Sequence, residues 1–309
     1  MRAPVSLRII LGAAVLLNLV LAGSCGSTGK PAPGAQTHSQ DVEEWFEGRI
    51  ERLTSDSGYL SLVGLFKLEA GTQTFGSRED NDFVFPDTAP LQAGAIKVEN
   101  GRVFLAPDPG VKIRHEGELF TGVEMFPDTS ANFNQFTMDT YTFYVIERMG
   151  PYYLRVKDTN SEYRRSFTSI ERYPVDEAWR VPARFERYPV SKSVRVPNVM
   201  GYDELVAVPG TIVFEVDGVE YSIEPMSSSH EQWWLVFGDE TSGRETYGGG
   251  RFVYIPAPDE NGNTHIDFNK AYNPPCAFNP YATCPLPHPD NILPVAITAG
   301  EKTYEGEHH

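Results

Sequence analysis

Residues 211–216 and 219–223 are two runs rich in β-branched and aromatic side chains on either side of Asp217-Gly218. An Asp-Gly pair between two such runs is a strong hairpin signal, because the tight turn needs positive φ at both central positions. The same pattern recurs along the chain. Runs at 60–68, 72–75, 83–85, 95–98, 103–106, 112–114, 141–148, 152–157, 204–209, 232–237 and 251–255 are rich in Val, Ile, Phe and Tyr. Asn100-Gly101 marks a second hairpin between two of them. With 27 glycines and 24 prolines as punctuation, these segments read as strands rather than helices. The expected fold class is therefore all-β. A β-sandwich-like half over residues 41–130 would pack on a second β-unit over 131–305, closed by a disulfide- and proline-rich C-terminal cap. No helix-rich section alternates with the strands, which excludes a parallel βαβ sheet with a nucleotide crossover. One amphipathic helix stands apart at residues 42–53. There Val42, Trp45, Phe46, Ile50 and Leu53 recur at helical spacing behind Asp41 as a natural cap.

The N-terminus has a different character. Arg2 and Arg8 precede an apolar run at 9–21 that is shorter than a bilayer requires. Small residues Ala22-Gly23-Ser24 then lead to Cys25. This is the layout of a secretory signal peptide over 1–24. The junction resembles the bacterial lipobox, which implies lipidation of Cys25 and attachment to a membrane. Residues 25–40 are rich in Gly, Ser, Thr and Pro and have the composition of a flexible tether. Export to the cell envelope is the expected localisation. The formal charge of −16 argues against nucleic acid as a partner, since phosphate contacts require a basic face. Two cysteines remain beyond Cys25, and an even pair in an oxidising compartment is most simply a Cys276–Cys284 disulfide.

Residues 68–77 and 81–86, Leu-Glu-Ala-Gly-Thr-Gln-Thr-Phe-Gly-Ser and Asn-Asp-Phe-Val-Phe-Pro, resemble the opening of a forkhead-associated domain. The phosphothreonine-reading arginine and Ser-x-x-His of that family are absent. Ser77 follows Gly76, and Pro90-Leu91-Gln92-Ala93 lies beyond, so the resemblance implies a sandwich fold without phosphopeptide binding. A broader resemblance rests on three blocks. These are Leu62-Val63-Gly64-Leu65-Phe66 with Phe75-Gly76-Ser77, then 181–185, and the stretch from His265 through Asn273-Pro274-Pro275-Cys276 to 299–302. Together they resemble the bacterial and archaeal family known as domain of unknown function 1684. That family implies membership and carries no activity to import.

The Asn-Pro-Pro-Cys block is a long irregular segment, and such loops in a compact chain are commonly functional. Two readings stand at this stage. One is a stapled cap over the end of a barrel or sandwich. The other is a polar site built against that cap from Arg251, Asp267, Asn269 and Asn273, with Tyr247 and Lys302 nearby in sequence. Arg251 would grip a small polar or anionic ligand through its fork of donors, or pair with Asp267. A hydrolase would use Asp267 or Glu301 as general base. A structural lipoprotein would dock to an envelope protein partner and need no small-molecule site. His230, Glu231, His265, Asp267 and His288 show no His-Glu-x-x-His or Cys-x-x-Cys spacing, so no metal and no cofactor is expected. A cysteine nucleophile would need a free thiol at Cys276 or Cys284 and a base such as His288. Gly-x-Ser-x-Gly is absent as well. Trp233 and Trp234 would point to opposite faces of a strand, one into the core and the other outward as a stacking platform.

Overall fold

The computed structural model describes residues 36–120 and 123–306. Cys25, the expected signal peptide over 1–24 and most of the expected tether over 25–40 lie outside the described residues. The described helix runs from His38 to Thr54, starting earlier than the apolar periodicity suggests. Thr37, not Asp41, is the cap. Its hydroxyl accepts the Gln40 N–H while the Gln40 side chain accepts the Thr37 N–H. This reciprocal box satisfies two free donors at once, which Asp41 alone could not do.

Strands form where alternation is clean. Gln232–Phe237, Val219–Ile223 and Tyr141–Glu147 pair as antiparallel ladders. Both expected tight turns adopt the left-handed backbone they need, with φ of 54° and 73° at Asn100-Gly101 and 53° and 79° at Asp217-Gly218. Two sheets make the first unit. A six-stranded sheet includes Leu62–Lys67, Tyr152–Asp158 and Tyr141–Glu147, and a five-stranded sheet includes Gly71–Gly76, Gly94–Glu99 and Arg102–Pro107. Phe75, Ile96 and Leu105 of one meet Phe136, Phe143 and Leu154 of the other in a shared apolar core. The strands up to Asp158 bury their apolar face here rather than in the second unit.

The second unit pairs a four-stranded sheet with a three-stranded one, over a core holding Phe214, Phe237, Val253 and Phe268. Its longest strand, Arg180–Pro197, carries Pro182 and Pro189, and these hide it from pattern reading. The ladder to Asp203–Val216 is interrupted between Arg187 and Lys192, where a bulge absorbs the second proline. Asn263–Asp267, not among the expected strands, pairs with the start of that strand. Both sheet pairs belong to one compact body, which begins at Thr37.

Candidate functional site

The expected pocket joining Arg251 to Asp267 does not form. Arg251 is 0% exposed, and its Nη2 donates to Asp239 at 2.7 Å and to the Ile297 carbonyl at 2.9 Å. Nη1 donates to the Ala299 carbonyl. Asp239 accepts in turn from Thr241 and from the Ile297 N–H. Burial pushes the guanidinium pKa down against the pull of Asp239. Arg251 thus ties the C-terminal loop to the three-stranded sheet.

Asp267 sits at another corner. Its carboxylate meets His38 Nε2 at 2.9 Å and Asn269 Nδ2 at 3.0 Å, and it caps the short turn Phe268–Lys270. Asn269 grips the backbone of Asp176 on both sides, accepting its N–H and donating to its carbonyl. The nearby Lys302 ammonium stands 5.1 Å from the Tyr173 ring.

Asn273 and Glu301 are brought together with a residue outside the expected set. Glu301, 1% exposed, accepts from Arg49 Nε at 3.2 Å and from the Asn273 N–H at 2.7 Å. Arg49 Nη2 donates to the Asn273 carbonyl at 3.0 Å, and Asn273 Nδ2 donates to the Lys302 carbonyl at 2.7 Å. Gly300 permits this approach. It has φ of 77°, and a Cβ there would stand 2.4 Å from the Ala271 carbonyl oxygen. Neither Glu301 nor Asp267 lines an open cavity among those described below, so both proposed bases serve as partners of cations and backbone donors.

Above this network opens a two-lobed groove. One lobe of about 390 Å³ runs along the C-terminal half of the helix, and a second of about 340 Å³ reaches the Pro-Cys segment. Arg49, Tyr59, Tyr254 and Tyr272 line both. The Arg49 guanidinium lies 4.9 Å from the centre of the Tyr272 ring. Tyr272 stacks with Tyr254 at 6.3 Å and 16°, and Tyr254 stacks with Trp234 at 6.3 Å and 24°. The tryptophan pair is therefore split, with Trp233 packed on Phe185 and Trp234 in the groove wall.

Four arginines face this aromatic floor: Arg49 and Arg52 from the helix, Arg148 and Arg155 from the first unit. Among the described lining residues there is no aspartate or glutamate. The chain as a whole has 42 acidic residues against 26 Lys and Arg, so this lining departs from the average, with Arg49 paired to Glu301 and Arg148 to Asp128 at 2.8 Å behind it. Arg155 gives one nitrogen to Thr283 at 3.1 Å, while its Nε has no hydrogen-bond partner among the described residues. A cleft with low-dielectric walls and one sign of charge focuses its field on a ligand of the other sign.

The expected Cys276–Cys284 disulfide is absent. Both are free cysteines, and the Cys276 N–H donates to Cys284 Sγ at 3.3 Å. Backbone bonds hold the loop without a crosslink, for Val199 N–H reaches the Cys284 carbonyl and Leu286 N–H the Pro197 carbonyl. The hydrogen bond between the thiols, with burial opposing it, lowers the Cys276 pKa; the same hydrogen bond and burial raise that of Cys284. Tyr247 OH donates to the Cys276 carbonyl at 3.3 Å, and its own pKa is raised by burial.

Residues 165–302 match the family described as a protein of unknown function, DUF1684. Over that segment the chain is similar to this family. It includes the Arg251 anchor, the Asn273–Glu301 network and the aromatic floor of the groove, whereas Arg49, Arg52, Arg148 and Arg155 lie before it. The solution structure of an uncharacterized protein from Haloarcula marismortui is 28% identical, covers 45% of this chain and 79% of its own, and superposes with a TM-score of 0.38. No curated protein matches the chain.

The matched segment supplies a pH-sensitive support for Arg49. Burial pushes the Glu301 pKa above the ordinary carboxylate range, against the pull of Arg49 and the Asn273 N–H. A carboxyl with a raised folded pKa contributes most below its unfolded value, and loses that contribution as pH rises through the folded one. Relative to Glu301→Gln, the wild-type protein is therefore expected to lose stability as pH rises above about 4.5. The slope is at most about 1.4 kcal/mol per pH unit. Urea unfolding of both proteins across that range checks the sign, and a flat difference would mean that Arg49 holds Glu301 at its ordinary pKa.

Arg49 was legible as an oddity, since it falls with Val42, Phe46 and Leu53 on the apolar stripe of the helix. A cation at such a position signals a buried partner. Nothing in the sequence shows that Arg148 and Arg155 approach it.

Proposed function

We propose that this protein is an exported, membrane-anchored lipoprotein of the cell envelope that binds a small organic anion in the arginine–aromatic groove. The basic start, short apolar run and Cys25 support the anchor. The observation that carries the ligand reading is the groove itself, with four arginines, three stacked aromatic rings and no acidic side chain among its described lining residues. Arginine forks match carboxylate and phosphate oxygens, and the rings accept a planar or apolar body. The ligand class is therefore an anion with an unsaturated or apolar portion.

Trp45 and Trp234 line the groove and report binding by fluorescence. Phenyl phosphate and benzoate are expected to quench them saturably, while benzylamine, with the same ring and a cationic head, leaves them unchanged. Arg155→Ala removes a charge-assisted contact of about 1.5–3 kcal/mol, which weakens binding roughly 10- to 100-fold. Tyr254→Ala removes the exposed middle ring and weakens binding about fivefold. Equal response to benzylamine, or binding unchanged in Arg155→Ala, would sink the anion reading and move protein docking to first place.

A further inference from the structure

A second polar cluster lies away from the groove, where the strand Val219–Ile223 ends against residues 287–291. Glu224 and His288 are 4% and 3% exposed, and Asp290 is exposed beside them. One ligand-type atom from each of the three lies within 4.8 Å of the other two. Glu224 Oε2 and His288 Nε2 face each other at 3.5 Å, yet neither has a hydrogen-bond partner among the described residues. Two buried, unpartnered polar atoms aimed at one point are costly unless something joins them.

From this geometry we infer that Glu224, His288 and Asp290 form a binding site for a divalent transition ion such as zinc. The spacing favours it. Ligand atoms about 2.0–2.1 Å from a tetrahedral zinc stand roughly 3.3 Å apart, close to the observed separation and beyond a good hydrogen bond. The donor set, one imidazole and two carboxylates, suits zinc and its neighbours rather than calcium or magnesium, which take all-oxygen shells. Three protein ligands leave a fourth position for water, the composition of an open site rather than a closed structural one.

The surroundings hold these ligands in place before any ion arrives. Lys192 and Tyr188 both contact the other Glu224 oxygen, Oε1, which turns Oε2 toward His288. Counting Lys192, two carboxylates against one ammonium leave the cluster negative. Asn291, fully buried, accepts the Glu224 N–H at 2.8 Å and donates to the Glu224 and Val236 carbonyls, each at 2.9 Å. It fastens the segment carrying His288 and Asp290 to the backbone of Glu224. Pro287 and Pro289 on either side of His288 stiffen the same segment. No spacing motif reveals this trio, because its members sit at 224, 288 and 290.

The test uses the full chain, stripped with a chelator and titrated with cobalt(II) and zinc. One equivalent of cobalt is expected to give a visible d–d absorption without a thiolate charge-transfer band, and zinc is expected to displace it and raise the melting temperature. His288→Gln should abolish the band. Asp290→Asn, at an exposed position that leaves the fold intact, should weaken cobalt binding more than tenfold, while Cys276→Ser leaves it unchanged. No uptake by the stripped wild type would overturn the assignment. So would uptake unaffected by Asp290→Asn, or a thiolate band placing the ion at Cys276 and Cys284.

Discussion

Arg251→Ala is expected to lower the unfolding free energy by about 3–5 kcal/mol, the range found when one partner of a buried ion pair is removed. The side chain is sealed from water, so nothing replaces its contacts. Asp239 would keep its charge with only Thr241, Ser242 and the Ile297 N–H as donors. The carbonyls of Ile297 and Ala299 would each lose a charged donor. Changing Asp239→Asn as well removes the stranded charge but not the stranded carbonyls, so the double variant should recover only part of the loss. Urea unfolding of the single and double variants measures both effects. A single-variant loss below about 1 kcal/mol would mean that the surrounding loop relaxes to admit water, contrary to the packing described above.

The second large effect is expected at Asn291. Alanine there leaves one buried N–H and two buried carbonyls without this partner, and a stranded buried group costs about 1–3 kcal/mol. A total on the order of 3 kcal/mol follows. Asn291→Asp discriminates this account from simple loss of volume. An aspartate still accepts from Glu224 N–H but cannot donate to either carbonyl, and it adds a buried charge near Glu224. It is therefore expected to be at least as destabilising as alanine. An aspartate variant close to wild type in thermal or chemical unfolding would show that size, not donor count, sets the requirement at this position.

The two sites differ in how far the sequence could lead to them. Arg251, Asp267, Asn269, Asn273 and Glu301 were singled out by chemical type, and the structure gives each a demanding polar role. It distributes them among three separate networks. Arg251 found Asp239, a residue twelve positions upstream in a loop with no periodic signal. Glu301 found Arg49, 252 positions away. Electrostatic partners of this kind are fixed by which loops pack together, and loop packing leaves no local pattern. The disulfide expected from an even pair of cysteines is not formed. The two cysteines lie side by side as free thiols in a segment that backbone bonds hold.

What the sequence by itself determined was local. The alternation of apolar and polar residues, the Asn-Gly and Asp-Gly turns and the apolar stripe of the helix specified most strands, two hairpins and the helix. These depend on contacts between residues near one another in the chain. The tertiary structure alone decided the long proline-bearing strand at Arg180–Pro197, whose bulge and neighbours override its local preferences. It also decided where charge collects. A chain that is strongly acidic overall gathers Arg49, Arg52, Arg148 and Arg155 around one aromatic groove. Composition carries a sum over the whole surface, and only the fold determines which few charges share a cleft.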